Sequence, residues 1–207
     1  MKTIEIKLFH FEELTEEVQQ KIIEGEQSHR YEHNHPWEHE SRATLDAFCE
    51  LFPVKWESYD EWNIHWSYTG EENHEELKGT RLMSHLWNEY QHALYKGKYY
   101  SSSMRKVPVD TEHPAGLEYT HRRSRAMKTN NCCVLTGYCM DDDILAPIYE
   151  VLDGKNLQST FKDVLGDCME SFRKSWQEEQ EHWSSEECIR EELQDDNSYY
   201  EQDSTKR

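Results

Sequence analysis

The chain has 207 residues and carries 42 Asp and Glu against 23 Lys and Arg, a formal charge of −19. A surface this acidic repels nucleic acid and anionic membrane, so direct DNA binding is not expected. It attracts basic proteins, of which nucleic-acid binders are the largest class. Hydrophobic content is only 35%, but seven Trp and twelve Tyr supply large buried areas per residue and argue for a folded, aromatic-rich core rather than disorder.

In chain order, Ile4, Ile6 and Leu8 alternate with polar residues and predict a strand over 3–9. Phe11, Leu14, Val18 and Ile22 follow at helical spacing. They predict a first helix over 15–28, with Thr15 as N-cap and Glu16 and Glu17 at its positive end. A His-rich segment, 29–39, precedes a second helix over 38–52, with Leu45, Phe48, Cys49 and Phe52 inward and Pro53 as its stop. Alternation from Trp62 to Tyr68 predicts a strand hairpinned to residues 54–58, and residues 69–75 read as a polar turn. A third helix is expected over 76–95. Residues 96–131 lack a period and read as a basic loop or added hairpin. Short helices are expected over 142–152 and 184–194, and the clearest one over 157–182, where Phe161, Leu165, Cys168, Phe172 and Trp176 recur every three or four positions. Tyr199 and Tyr200 are placed to add an edge strand. Together these elements predict a single α+β domain over 1–207, with several helices packed on a small antiparallel sheet.

The charge is uneven. Residues 1–95 carry a net −12, residues 96–162 a net +2 and residues 163–207 a net −9. Carboxylates three or four positions apart lie on one face of a helix, about 5–6 Å apart. A run of them approximates the charge density of a nucleic-acid backbone, whose strands carry one charge per roughly 3.4 Å of axial rise. The candidate set is Glu170, Glu178, Glu179, Glu181, Glu186, Glu187, Glu191, Glu192, Asp195 and Asp196, with Trp183 as an apolar anchor. A second set comprises Glu12, Glu13, Glu16, Glu17, Glu24 and Glu26. The plainer reading is that both sets are solvated faces of amphipathic helices.

The remaining constellations are weaker. His29/His33 and His35/His39 have the i, i+4 spacing of metal-ligating pairs, but Pro36 interrupts the helix and no Cys lies nearby. They read as surface histidines, and no metal or other cofactor is expected. Cys132, Cys133 and Cys139, taken with His121, match no zinc spacing. The run Asp141-Asp142-Asp143 lacks the spacing of a calcium loop and reads as a cap for a helix beginning near Ile144. Arg122, Arg123 and Arg125 are expected to pair with acids of this chain or of a second copy in a homodimer; contact with RNA is the other option. There is no phosphate loop and no catalytic signature, so the chain is not read as an enzyme. Without an apolar run long enough for a signal peptide or a membrane span, it is expected in the cytoplasm, with its six Cys reduced.

The stretches Met1–Leu14, Leu135–Leu152 and Phe161–Ser185 resemble a family of acidic proteins of about this length from phages, prophages and integrative elements. Its members are often labelled hypothetical, or antitoxin of a toxin–antitoxin stability system. The shared segments carry no catalytic motif, so no functional residue transfers from the family. What the resemblance implies is context: small acidic proteins of mobile elements often oppose host nucleases. The expectation is an anti-CRISPR-like inhibitor in the host cytoplasm. It would act as a DNA mimic on a basic nucleic-acid-binding complex, a CRISPR effector or another defence nuclease. The alternative is an antitoxin that neutralises a basic toxin protein. A metal-binding accessory protein built on the His-rich segment and a structural housekeeping role complete the readings.

Overall fold

A computed structural model describes residues 7–33, 36–59, 63–95, 100–106, 117–123, 133–196 and 198–200. The described residues form an α+β fold. Its helices are α1 (Glu16–Glu32), α2 (Glu38–Leu51), α3 (Glu72–Glu75), α4 (Gly79–Leu94), α5 (Met140–Leu152), α6 (Phe161–Trp183) and α7 (Glu186–Asp195). Its strands are β1 (Val54–Tyr59), β2 (Ile64–Tyr68), β3 (Tyr100–Lys106) and β4 (Leu117–Arg123), paired β1–β2 and β3–β4 as two separate antiparallel ribbons. The chain divides into two compact units, one of residues 1–38 and 176–207 and the other of residues 39–175.

The first unit is built on α1 and α7. Ile22 and Ile23 share a buried cluster with Ile189 and Leu193, closed by Phe11, Leu14 and Tyr200. Fully burying such a side chain contributes roughly 1.5–3 kcal/mol, so this short list dominates the unit's stability. Phe9 and Tyr200 exchange backbone hydrogen bonds of 3.0 and 2.9 Å as an isolated antiparallel bridge, so the expected edge strand at Tyr199–Tyr200 is reduced to this single pairing. Ile4 and Ile6 of the predicted strand lie outside the described residues. Gln19 Nε2 donates to the carbonyls of Phe11 and Leu14, fixing the 3₁₀ turn Phe11–Glu13 against the start of α1. Thr15 holds the N-cap position, but its side chain makes no capping hydrogen bond. Ser185 does cap α7, its Oγ accepting from Cys188 N at 3.2 Å. Helix α1 runs four residues beyond its expected end, into the His-rich segment.

The second unit holds the larger core. Leu45 and Phe48 of α2, Leu82 and Leu86 of α4, Ile144 and Ile148 of α5, and Phe161, Leu165 and Phe172 of α6 are all buried. Aromatic rings continue it. Phe52 lies between Phe48 and Tyr90 at centroid distances of 4.8 and 4.6 Å, and Phe161 meets Tyr68 edge-on at 6.3 Å. Ribbon β1–β2 has the expected hairpin pairing, Val54 opposite Tyr68 and Trp56 opposite Trp66, with a bulge after Trp56. Trp66 of β2 reaches α6 at Gly166, where an added Cβ would come within 3.3 Å of the indole. Trp62 lies outside the described residues.

Three local devices shape this unit. At the start of α6, Thr160 Oγ1 and N donate to the Asp163 carboxylate while Asp163 N donates back to Thr160 Oγ1, a reciprocal capping box. These bonds hold the Asp163 carboxyl below its ordinary range. At the end of α5, Gly154 N bonds Val151 O and Lys155 N bonds Glu150 O. Gly154 takes the left-handed conformation, φ 76°, that this stop requires. Within α5, Pro147 has no N–H and deprives the Asp143 carbonyl of its helical partner. Ser171 Oγ of α6 supplies the missing donor at 2.8 Å.

One sequence expectation is corrected here. Residues 72–75 of the expected polar turn form the short helix α3, and the following helix begins later, at Gly79, so Leu77 precedes it. Its carbonyl accepts from Phe161 N. Of the two options for the basic segment 96–131, a loop or a hairpin, the described residues form the hairpin, with seven pairs from Tyr100 opposite Arg123 to Lys106 opposite Leu117. Among the described residues no helix is long and apolar enough to cross a membrane.

Candidate acidic interface

The first unit gathers 20 Asp and Glu against 7 Lys and Arg within its 70 residues. Nine of the ten candidate carboxylates belong to it, as does the whole N-terminal acidic set; Glu170 belongs to the second unit. Their local circumstances differ, and the differences decide which can meet a partner.

Several are already engaged. The Arg30 guanidinium is buried, 7% exposed, and donates to Glu192 Oε2 and to the Trp183 carbonyl, both at 2.5 Å. Its plane lies over the Trp183 ring, 5.0 Å from the centroid. Glu192 and Trp183 therefore belong to the interior bracing of α1 against the C-terminal helices. Trp183 is half-buried beneath Arg30 rather than presented as an anchor. The nearby Cys188 thiol is pushed up, first by burial and then by the Glu192 charge, so it is a poor nucleophile. Glu186 pairs with Arg190 at 2.9 Å, Glu181 accepts from Gln177, and Asp196 accepts from Ser198. Glu179 is half-buried. Glu170 accepts two hydrogen bonds from Arg173, which hold its carboxyl below the usual range.

Glu178, Glu187, Glu191 and Asp195 remain. All four are exposed, and their side chains make no hydrogen bond or ion pair among the described residues. Glu187, Glu191 and Asp195 stand at i, i+4 and i+8 of α7 and form one row along the helix. At 1.5 Å rise per residue their spacing is about 6 Å, roughly half the linear charge density of one DNA strand. The row is thus an exposed acidic stripe, too sparse to replicate a duplex backbone by itself. Exposed aromatic rings accompany it in the same unit: Tyr31 (72% exposed), Trp37 and Tyr199.

The other sequence candidates resolve differently. Asp141 does not cap a helix from outside. The helix starts at Met140, and all three aspartates sit in its first turn. The Asp141 carboxylate is buried, accepting from the backbone N–H groups of Leu135, Thr136 and Gly137 and from the hydroxyls of Thr44 and Thr136. Five donors saturate its oxygens, so it is a knot tying the 135–137 turn to α2 and α5. Four of its five bonds come from residues 135–137, close in the chain, and only the bond from Thr44, 97 residues away, is beyond the reach of a local motif. Asp142 is exposed overall, and partial desolvation of its carboxyl, followed by the Asp143 charge beside it, raises its pKa; Asp143 accepts from Ser175. Cys49, Cys133, Cys139, Cys168 and Cys188 are free thiols, and burial pushes Cys168 well up. Arg122 and Arg123 lie in β4, opposite Ser101 and Tyr100. Arg125, Cys132 and His35 lie outside the described residues. In comparisons with protein-family models, curated proteins and solved structures, nothing matches the chain.

Proposed function

We propose that this chain is a protein-binding inhibitor whose first unit engages the basic, nucleic-acid-binding surface of a partner and competes with nucleic acid there. The observation that carries this reading is the unpartnered row Glu187, Glu191 and Asp195 on a unit with a net −13. Complementary charge of this strength steers association and makes it salt-sensitive. Exposed rings of the same unit, Tyr31, Trp37 and Tyr199, offer the apolar contact area that charge alone does not. The resemblance to mobile-element proteins makes a host defence nuclease, a CRISPR effector first of all, the partner class to test. In that setting the chain is an anti-CRISPR that blocks DNA binding.

The test is a competition for a purified effector between labelled duplex DNA and this protein, run at low and moderate salt. The wild-type chain is expected to displace DNA, and less so as salt rises. The triple variant Glu187→Lys/Glu191→Lys/Asp195→Lys is expected to lose displacement while keeping its helicity. Glu192 is left intact because reversing it would strand Arg30 in the interior. Undiminished displacement by the folded variant rejects the row as the interface. Capture of one small basic toxin in place of an effector transfers the same acidic surface to the antitoxin reading.

A further inference from the structure

At the C-terminal end of α1, His29 and His33 occupy consecutive turns of one face, with ring centroids 4.1 Å apart and both side chains exposed. His33 Nδ1 lies 2.8 Å from the His29 carbonyl oxygen. A carbonyl only accepts, so Nδ1 carries the proton and the ring's free lone pair is on Nε2. Anchoring one ring nitrogen to a backbone carbonyl is how metal-ligating histidines are held in tautomer and orientation. Helix α1 ends at Glu32, so the pair sits where the helix dipole favours a cation. The net −13 of the unit adds to that preference.

We propose that His29 and His33 form a two-imidazole chelate for a divalent late-transition-metal ion at the end of α1. Imidazole suits Cu²⁺, Ni²⁺ and Zn²⁺, and with two nitrogen ligands Cu²⁺ binds most tightly, following the Irving–Williams order. Among the described residues no cluster of three or more His, Cys, Asp or Glu is placed to hold a metal. The chelate therefore supplies two protein ligands and leaves the other coordination positions to water. Such a site is open and exchangeable, unlike a closed structural zinc site. It is independent of the acidic row on α7.

The test is a titration of the full-length protein with Cu²⁺ at neutral pH, followed by calorimetry and by electron paramagnetic resonance. The expected result is one tight equivalent with hyperfine coupling to two nitrogens. Affinity should fall on acidification, because protons compete for the same nitrogens. His29→Gln and His33→Gln are each expected to weaken that equivalent about a hundredfold, by removing the second of two linked ligands. Both positions are exposed, and circular dichroism verifies that the variants stay helical. A first equivalent unchanged in the folded His29→Gln/His33→Gln double variant overturns the assignment, as does coupling to a single nitrogen in the wild type.

Discussion

The first unit holds a net −13 in 70 residues and buries a cation, Arg30; the second holds a net −6 in 137 residues and buries an anion, Asp141. Among the described residues these are the buried charged side chains. Arg30 is held by a carboxylate that itself reaches solvent, by a carbonyl and by an indole face. Asp141 is held by neutral dipoles alone, three N–H groups and two hydroxyls. The difference teaches how each unit tolerates its charge. In the acidic unit a buried cation offsets part of the repulsion among the surrounding carboxylates. In the nearly balanced unit the buried charge organises a turn and has no bearing on the surface.

Removing each buried charge breaks the comparison most directly. Asp141→Ala leaves five donors without their acceptor and is expected to cost the second unit about 3–5 kcal/mol in denaturant unfolding. The loss should not depend on salt, because no ion pair is involved. A loss below about 1 kcal/mol would mean that water replaces the carboxylate. Arg30→Met is expected to cost the first unit about 2–3 kcal/mol, through the stranded Trp183 carbonyl and the unrelieved acidic repulsion. This deficit should shrink as salt screens that repulsion; a deficit constant with salt would assign Arg30 a packing role only. Glu192→Gln is expected to cost no more than about 1 kcal/mol, since Glu192 is half exposed.

Helix caps sharpen the comparison at lower cost. Ser185→Ala and Thr160→Ala each remove a side chain that bonds the first turn and are expected to lose about 1 kcal/mol. Thr15→Ala should lose less than about 0.5 kcal/mol, because the Thr15 side chain makes no capping bond. Thermal melts of the three variants check the order.

The smallest effect is a pH dependence of the second unit. His85 packs against His74 at 4.6 Å, Phe161 at 5.3 Å and Tyr90 at 5.8 Å, and its Nε2 is buried without a hydrogen-bond partner. Burial, and then His74, lower its pKa below the ordinary imidazole value, against a weaker raising influence from Glu89. The unfolded chain therefore binds the proton more readily. Stability is at its fullest above the unfolded value, about 6.5, declines as pH falls below it, and levels off beneath the folded value. His85→Phe should flatten that decline, and an unchanged slope would assign it to other groups.

Much of this architecture was legible in the chain. The apolar periods of 45–52 and 161–176 predict α2 and α6, and the alternation after Trp62 predicts the β1–β2 hairpin, because helices and strands bury one face with fixed periods. The acidic excess toward the C-terminus was equally legible. The short helix α3 and the start of α5 were missed: one turn of helix leaves no period to detect, and the aspartates that read as an external cap are the first turn itself.

The sequence by itself determined the element types, the α+β class and the sign of the charge, since these follow from local periodicity and composition. Tertiary structure decided which carboxylates are spent internally and which stay exposed, because Glu192 meets Arg30 only once α1 and α7 pack together, while Glu187 stays exposed. It also decided the tie of the Asp141 turn to Thr44, 97 residues away in the chain. Burial and hydrogen-bond satisfaction depend on neighbours in space, and spacing along the chain does not encode them.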